Sequence, residues 1–278
     1  MIKKINTSKI AVLLATYNGD KYIREQLDSL LSQTFTDWTL YIRDDQSTDH
    51  TLFCINEYQQ KSEKIVLLEN DGENLGAKDN FLRLLSVVDS QYYMFMDEDD
   101  IWLPNKIEES LNVMMQIESK GDNIPIVVHT NLKVVDKELN VITESFWDSI
   151  RFDPRKFHNV HYLSMMGYIT GATMLFNSRA KEVSFPVDIH AVMHDWWIGI
   201  SVYRHGGKVI SIKTPLMLYR KHGYNVTGDF IASSSGKNIL TRLNENIYVY
   251  RMLRECNCVV SLWQFLFYKL LIVIKRKF

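Results

Sequence analysis

Four polar clusters hold the residue types that could do chemistry. The first is Asp97-Glu98-Asp99-Asp100. Side chains alternate along a strand, so Asp97 and Asp99 leave a strand end on the same side. Adjacent acids repel one another unless a cation or donor groups compensate them. Mg²⁺ and Mn²⁺ favour oxygen ligands, and Mg²⁺ takes one or two carboxylates together with substrate phosphates. A solvated acidic loop would have the same composition. The second cluster, Asp44-Asp45-Gln46-Ser47, could accept from ribose hydroxyls or a base N–H. It could equally be a helix start whose acids favour the dipole. The third is His194-Asp195-Trp196-Trp197. A carboxylate in a partly dry, apolar site has a raised pKa and can serve as a general base. The tryptophans could stack on the apolar face of a sugar, or be core with Asp195 as a helix cap. The fourth, Arg220-Lys221-His222-Gly223, offers an imidazole that suits Mn²⁺, or a structural histidine.

These residues need elements to hold them. Ile10 to Ala15 is a continuous apolar run bounded by a turn, which predicts a strand buried on both faces. Leu40 to Ile42, Ile65 to Leu68 and Tyr92 to Met96 predict three more strands. Helical spacing predicts helices over Tyr22 to Gln33, from Ser47 or Thr48 to Gln60, over Ala77 to Val88, and from Pro104 to Lys120. Such alternation implies an α/β fold with a mainly parallel sheet and right-handed crossovers. Ligands bind beyond the carboxyl ends of strands in such sheets. Three of those ends carry Thr16-Tyr17-Asn18, Asp44-Asp45 and Asp97 to Asp100. In the second half, 126–129, 132–135, 173–176, 209–212 and 216–219 read as strands and 194–203 as a helix. Residues 145–166 read as loop-rich, 228–237 as a small polar linker, and 238–278 as a helical tail.

Composition narrows the class. The chain has 278 residues, 46% hydrophobic and 23% charged, with 32 basic against 33 acidic side chains and a net charge of −1. This excludes a disordered or collagen-like chain, and no global positive field invites nucleic acid. Cys54 stands alone and Cys256 and Cys258 form C-x-C, so no disulfide framework is implied and a reducing cytoplasm is the default. There is no G-x-x-x-x-G-K-[ST] loop and no G-x-G-x-x-G after the first strand, so any nucleotide is held through metal and side chains. No run reaches the roughly eighteen apolar residues of a spanning helix. The nearest, Leu262 to Ile274, is broken by Gln264 and Lys269 and followed by Lys275-Arg276-Lys277. It suits an interfacial helix, where each basic residue near anionic lipid contributes about 1 kcal/mol, or a helix packed on the body.

Taken together, the clusters resemble family 2 of the inverting nucleotide-sugar glycosyltransferases, which have the GT-A fold. The resemblance rests on Ala15-Thr16-Tyr17-Asn18-Gly19, Ser32-Gln33-Thr34-Phe35, Asp44-Asp45-Gln46-Ser47-Thr48-Asp49, Asn74-Leu75-Gly76, and Met96 to Asp100 with Trp102-Leu103-Pro104. It continues through Gly171-Ala172-Thr173-Met174, His194-Asp195-Trp196-Trp197 and Tyr219-Arg220-Lys221-His222. Order and spacing match over roughly residues 9 to 225, most like the bacterial rhamnosyltransferase branch. Gln46 stands where the family usually has Gly.

The resemblance implies a catalytic domain over 1–228, with a donor half to about 104 and an acceptor half after it, and a helical tail over 229–278. It implies that Thr16, Tyr17, Asp44 and Asp45 face the base and ribose, and that Asp97 meets the ribose or metal. Asp99 would be the main ligand of Mn²⁺ or Mg²⁺, His222 a second metal or diphosphate contact, and Lys78 a diphosphate contact. Asp195 would be the base, and Trp196 and Trp197 would line the acceptor side. It further implies a dTDP-rhamnose or UDP-sugar donor and a saccharide acceptor, lipid-linked, in bacterial surface polysaccharide synthesis. The implied place is the cytoplasm, peripheral on the inner membrane face through 262–278. Residues 145–166 and 223–236 are the segments expected to close over the donor. A Mg²⁺-dependent nucleotidyltransferase or phosphohydrolase is the competing class.

Overall fold

The computed structural model describes residues 8–70, 72–223, 239–258 and 261–277. Strands β1 (Ile10–Thr16), β2 (Trp38–Asp44), β3 (Ile65–Leu67) and β4 (Tyr92–Met96) alternate with helices α1 (Ile23–Leu31), α2 (Thr51–Lys61) and α3 (Gly76–Val87). Every residue of β1, β2 and β4 is buried. Their apolar runs are continuous because helices cover both faces. The side chains of β1 divide by parity. Ala11, Leu13 and Ala15 join one core layer with Phe81 of α3, while Ile10, Val12 and Leu14 join the other with Ile23 and Leu27 of α1.

The chain continues through β5 (Ile101–Trp102), α4 (Lys106–Glu118), β6 (Ile126–Val135), β7 (Val141–Thr143), α5 (Phe146–Ser149) and α6 (Val160–Met166). Then follow β8 (Met174–Asn177), α7 (Ser178–Val183), α8 (His194–Arg204), β9 (Lys208–Arg220), α9 (Ile239–Glu255) and α10 (Leu262–Lys277). Among the described residues one nine-stranded sheet has the order β3-β2-β1-β4-β8-β6-β9-β5, with β7 beside β6. The ladders β1–β2, β1–β4, β2–β3 and β6–β9 are parallel; β8 runs antiparallel to both β4 and β6. The carboxyl ends of β1, β2 and β4 therefore lie side by side.

Three local readings change. Residues 126–135 and 208–220 are each one strand, paired with register shifts that take in Pro215, where a ladder tolerates a missing N–H. Residues 145–166 hold α5, a 3₁₀ turn at Pro154–Lys156 and α6, all too short to show a period. The expected linker over 228–237, and the domain boundary at 228, lie outside the described residues. The three cysteines are free and buried. No described helix is long and apolar enough to cross a membrane.

Candidate active site

The loops after β1 and β2 are laced together. Thr16 Oγ1 donates to Asp44 Oδ1 at 2.9 Å, and Ser47 donates to the same carboxylate through N at 2.8 Å and Oγ at 2.6 Å. Asn18, at φ 53°, donates its N–H to Ser47 Oγ and accepts from the Thr48 N–H, both at 2.8 Å. This leaves Tyr17 on the surface, 51% exposed, with a ring face a base could stack on. Gln46 holds φ 68°, a left-handed position that glycine fills without strain. Its side chain swings to the Gly72 carbonyl at 2.6 Å.

Asp45 reaches the expected strand end, yet its carboxylate works inward. It accepts from Arg43 Nη1 at 2.8 Å and from the Leu75 and Gly76 N–H groups at 2.7–3.0 Å. Arg43 is itself buried and also donates to Asn80, Asn70 and the Glu73 carbonyl. Asp45 thereby anchors the start of α3. Asp44, buried with the three donors already named, has the same inward character.

The acidic tetrad splits by burial. Asp100 is fully buried, accepts from the Arg220 N–H at 3.1 Å, and is pushed well above the usual carboxylate range by desolvation and then by Asp99. Its neighbour Lys106, buried over the Trp102 ring at 4.9 Å, is pushed down to about 7 by desolvation. The other three are half-buried just beyond β4. Desolvation, then Asp99, pushes Glu98 up to about 8. Desolvation, then Asp99 and Asp195, pushes Asp97 up to about 7. Asp99 Oδ2 lies 2.7 Å from His222 Nε2.

Crowded carboxylates raised first by burial and then by one another's charge are a donor set that a hard cation relieves, so the chemistry here fits Mg²⁺ or Mn²⁺. Among the described residues no group of three or more His, Cys, Asp or Glu is placed to hold a metal ion.

Asp195 stands in the first turn of α8, where the helix dipole favours a carboxylate. Its Oδ2 accepts from the Gly171 N–H at 2.9 Å and its Oδ1 from the Trp196 N–H at 2.6 Å. A carboxylate has room for further partners. The charge of Asp195 helps to raise Asp97, so the two carboxylates stand near one another at the candidate site.

Trp196 and Trp197 do not line it. They are 6% and 7% exposed, with indole N–H groups donated to the Ser164 and Ser184 carbonyls at 3.1 and 2.8 Å. Both are core beneath the carboxylate, which corrects the expected stacking surface. Lys78 donates across to the Ala191 carbonyl at 3.3 Å, tying the start of α3 to the loop that enters α8.

Several residues at the site carried no functional reading of their own. Arg220 is buried, donates from Nε to the Asp99 carbonyl at 2.9 Å, pairs with Glu25 and lies 4.5 Å over the Tyr22 ring. Tyr22 stacks on His222 with centroids 5.1 Å apart. A charged residue ending a strand was the signal for Arg220; nothing in the sequence pairs Tyr22 with His222. Gly171 is fixed by its neighbours, since a Cβ there would meet His194 Nε2 at 2.8 Å and Asp195 Oδ2 at 3.6 Å.

The description Glycosyl transferase family 2 matches residues 11–179, more than half of the 278. The dTDP-rhamnosyl transferase RfbG of Shigella flexneri is 27% identical over 224 residues, 77% of this chain and 73% of its own length. The UDP-Glc:alpha-D-GlcNAc-diphosphoundecaprenol beta-1,3-glucosyltransferase WfgD of Escherichia coli is 30% identical over 191 residues, 69% of each chain. Among solved structures, S. aureus TarS 1-349 with UDP-GlcNAc superposes with a TM-score of 0.57 at 18% identity, over 88% of this chain and 66% of that one. The mannosyltransferase PcManGT from Pyrobaculum calidifontis, with GDP-Man and Mn²⁺, gives 0.58 at 15% identity over 92% and 66%. These structural likenesses establish the GT-A type of fold. The family match takes in the loops that carry Thr16, Asp44, Asp97, Asp99 and Gly171, and by it the chain belongs to glycosyl transferase family 2, whose members act on nucleotide sugars.

Proposed function

We propose that this transferase moves a sugar, with inversion, from a nucleoside-diphosphate donor to a hydroxyl of a saccharide acceptor. Thr16 and Tyr17 form the base-side wall, with Asp44 and Asp45 bracing it and Lys78 near the diphosphate. Asp99 and His222 would hold Mn²⁺ or Mg²⁺, with Asp97 beside them; the ion supplies charge compensation for the departing diphosphate. Asp195 takes the proton from the acceptor hydroxyl. That oxygen bonds to the anomeric carbon as the bond to the diphosphate breaks on the opposite face. One displacement inverts the centre. The observation that supports this reading is the Asp195 carboxylate, held by the Gly171 and Trp196 N–H groups and near enough to Asp97 for its charge to raise it.

The names of two relatives support dTDP-rhamnose as the first donor to test and a UDP-hexose as the second. The name of WfgD supports a lipid-linked acceptor, hence work at the inner membrane face in surface polysaccharide synthesis. The test is a panel of nucleotide sugars with and without Mn²⁺, read by thermal stabilisation and product formation. A ligand at a hundred times its Kd stabilises by about 2.7 kcal/mol. Asp195→Asn should keep the donor-dependent shift and lose at least about a hundredfold in rate. Near-normal turnover would remove Asp195 from the mechanism.

A further inference from the structure

Helix α10 has two unlike faces. Inward, Phe265 and Ile272 are buried. Phe265 meets Tyr250 of α9 with centroids 5.5 Å apart, and Lys269 Nζ donates to Asn246 Oδ1 at 2.8 Å. Tyr268 meets His161 and Tyr162 of α6 at 4.4 and 5.3 Å. Outward, Trp263, Phe267 and Leu270 are 82%, 56% and 59% exposed, and Leu266, Val273 and Ile274 are exposed beside them. Positions 263, 266, 267, 270, 273 and 274 make one stripe at helical spacing. An exposed apolar stripe of this extent marks an interaction surface.

Charge says which. No acidic residue occurs after Glu255, and the stripe ends in Lys275-Arg276-Lys277. Lys275 Nζ donates to the Lys156 carbonyl at 2.7 Å, and Phe152 and Phe157 share a cluster with Ile272. That packing sets the segment with exposed Arg151, Arg155 and Lys156 beside the basic end, Arg155 being paired with Asp153. An apolar stripe with an exposed tryptophan and one cationic end matches a bilayer with anionic headgroups.

We propose that the outward face of α10 docks shallowly on an anionic lipid bilayer and thereby holds the helix that bears Asp195 at the membrane surface. The second clause rests on the transferase reading and follows from packing. Leu163 of α6 lies where a Cβ on Gly199 of α8 would be 2.6 Å away, and Trp196 donates to the Ser164 carbonyl. The docked helix, α6 and the helix that bears Asp195 form one stack.

The test uses the full chain and vesicles of phosphatidylcholine with and without phosphatidylglycerol. The wild type should co-sediment with the anionic vesicles, less so at high salt. The triple variant Trp263→Gln/Phe267→Gln/Leu270→Gln changes only exposed side chains and should bind at least ~10-fold more weakly. Its donor-dependent thermal shift should equal that of the wild type, which shows that the fold and the donor site survive. Equal vesicle binding by variant and wild type would overturn the proposal. So would a wild-type dimer that the variant dissociates while neither binds vesicles, since the face would then belong to a second copy. Vesicle binding without any donor-dependent shift in the wild type would keep the docking surface and reject the transferase reading.

Discussion

Removing Arg43 should cost the fold more than removing any solvent-exposed charge. The guanidinium and the Asp45 carboxylate are both almost wholly buried, at 2% and 3% side-chain exposure. Arg43→Met leaves that carboxylate with two backbone N–H groups and strips a donor from Asn70 and Asn80. Breaking a buried pair on one side costs about 3–5 kcal/mol. At roughly 2–4 °C per kcal/mol for a chain of this order, the midpoint should fall by on the order of 10 °C. Asp45→Asn removes the charge but keeps one acceptor for the Leu75 and Gly76 N–H groups, so it should cost about 1–3 kcal/mol. The double variant should cost less than the sum by about 1–2 kcal/mol, because no unpaired charge stays buried. Because Gly76 begins α3, donor affinity should fall in the same order as stability. Urea unfolding of the four proteins, with donor titration, reads both. A cost below about 1 kcal/mol for Arg43→Met, or strict additivity, would show that the backbone alone holds Asp45.

Two further outcomes follow from other parts of the fold. His129 is buried against Trp147 and Tyr168, its Nε2 2.7 Å from Ser211 Oγ, and burial pushes it down to about 3. Burial also lowers His194. Such groups stay neutral when folded and take up protons on unfolding, so stability is full above the ordinary histidine value and falls as pH drops below it. The slope is about 1.4 kcal/mol per pH unit for each group, down to its folded pKa. His129→Gln should flatten acid unfolding between about pH 6 and 3; an unchanged slope would exclude His129 as its source. Gly171→Ala should lower kcat at least about tenfold with donor KM unchanged, because its Cβ would press on His194 and Asp195. Equal losses in donor affinity would show that the donor side, not the base, had moved.

How much of this was legible in the sequence depends on how far apart the partners lie along it. The strands that end in Thr16, Asp44 and Met96 were visible because their burial is continuous, and the polar residues after them marked the strand ends. The inward work of Asp45 was not visible, since its donors come from Leu75 and Gly76, about thirty residues on. Trp196 and Trp197 misled for a different reason. Helix α8 is buried on nearly every side, so no polar face told which way its aromatics point. The long strand Lys208–Arg220 read as two because Pro215 interrupts the pattern at a register shift. Helix α10 stayed ambiguous because it both packs and projects, and composition alone cannot divide those faces.

The change of direction between β4 and β8 has a consequence for how this scaffold can vary. Strands β1, β2 and β4 finish at one edge of the sheet, but β8 starts there, with Gly171 just ahead of it. The chain therefore arrives at Asp195 by a route that no hydrogen bond of the β1–β2–β3 ladders requires. Segments of different length between β7 and β8 can be exchanged without breaking the hydrogen bonds around Thr16 and Asp44. On the proposed transferase reading, the half that bears Thr16 and Asp44 can thus be kept while the segments around Asp195 are retailored to a new acceptor hydroxyl.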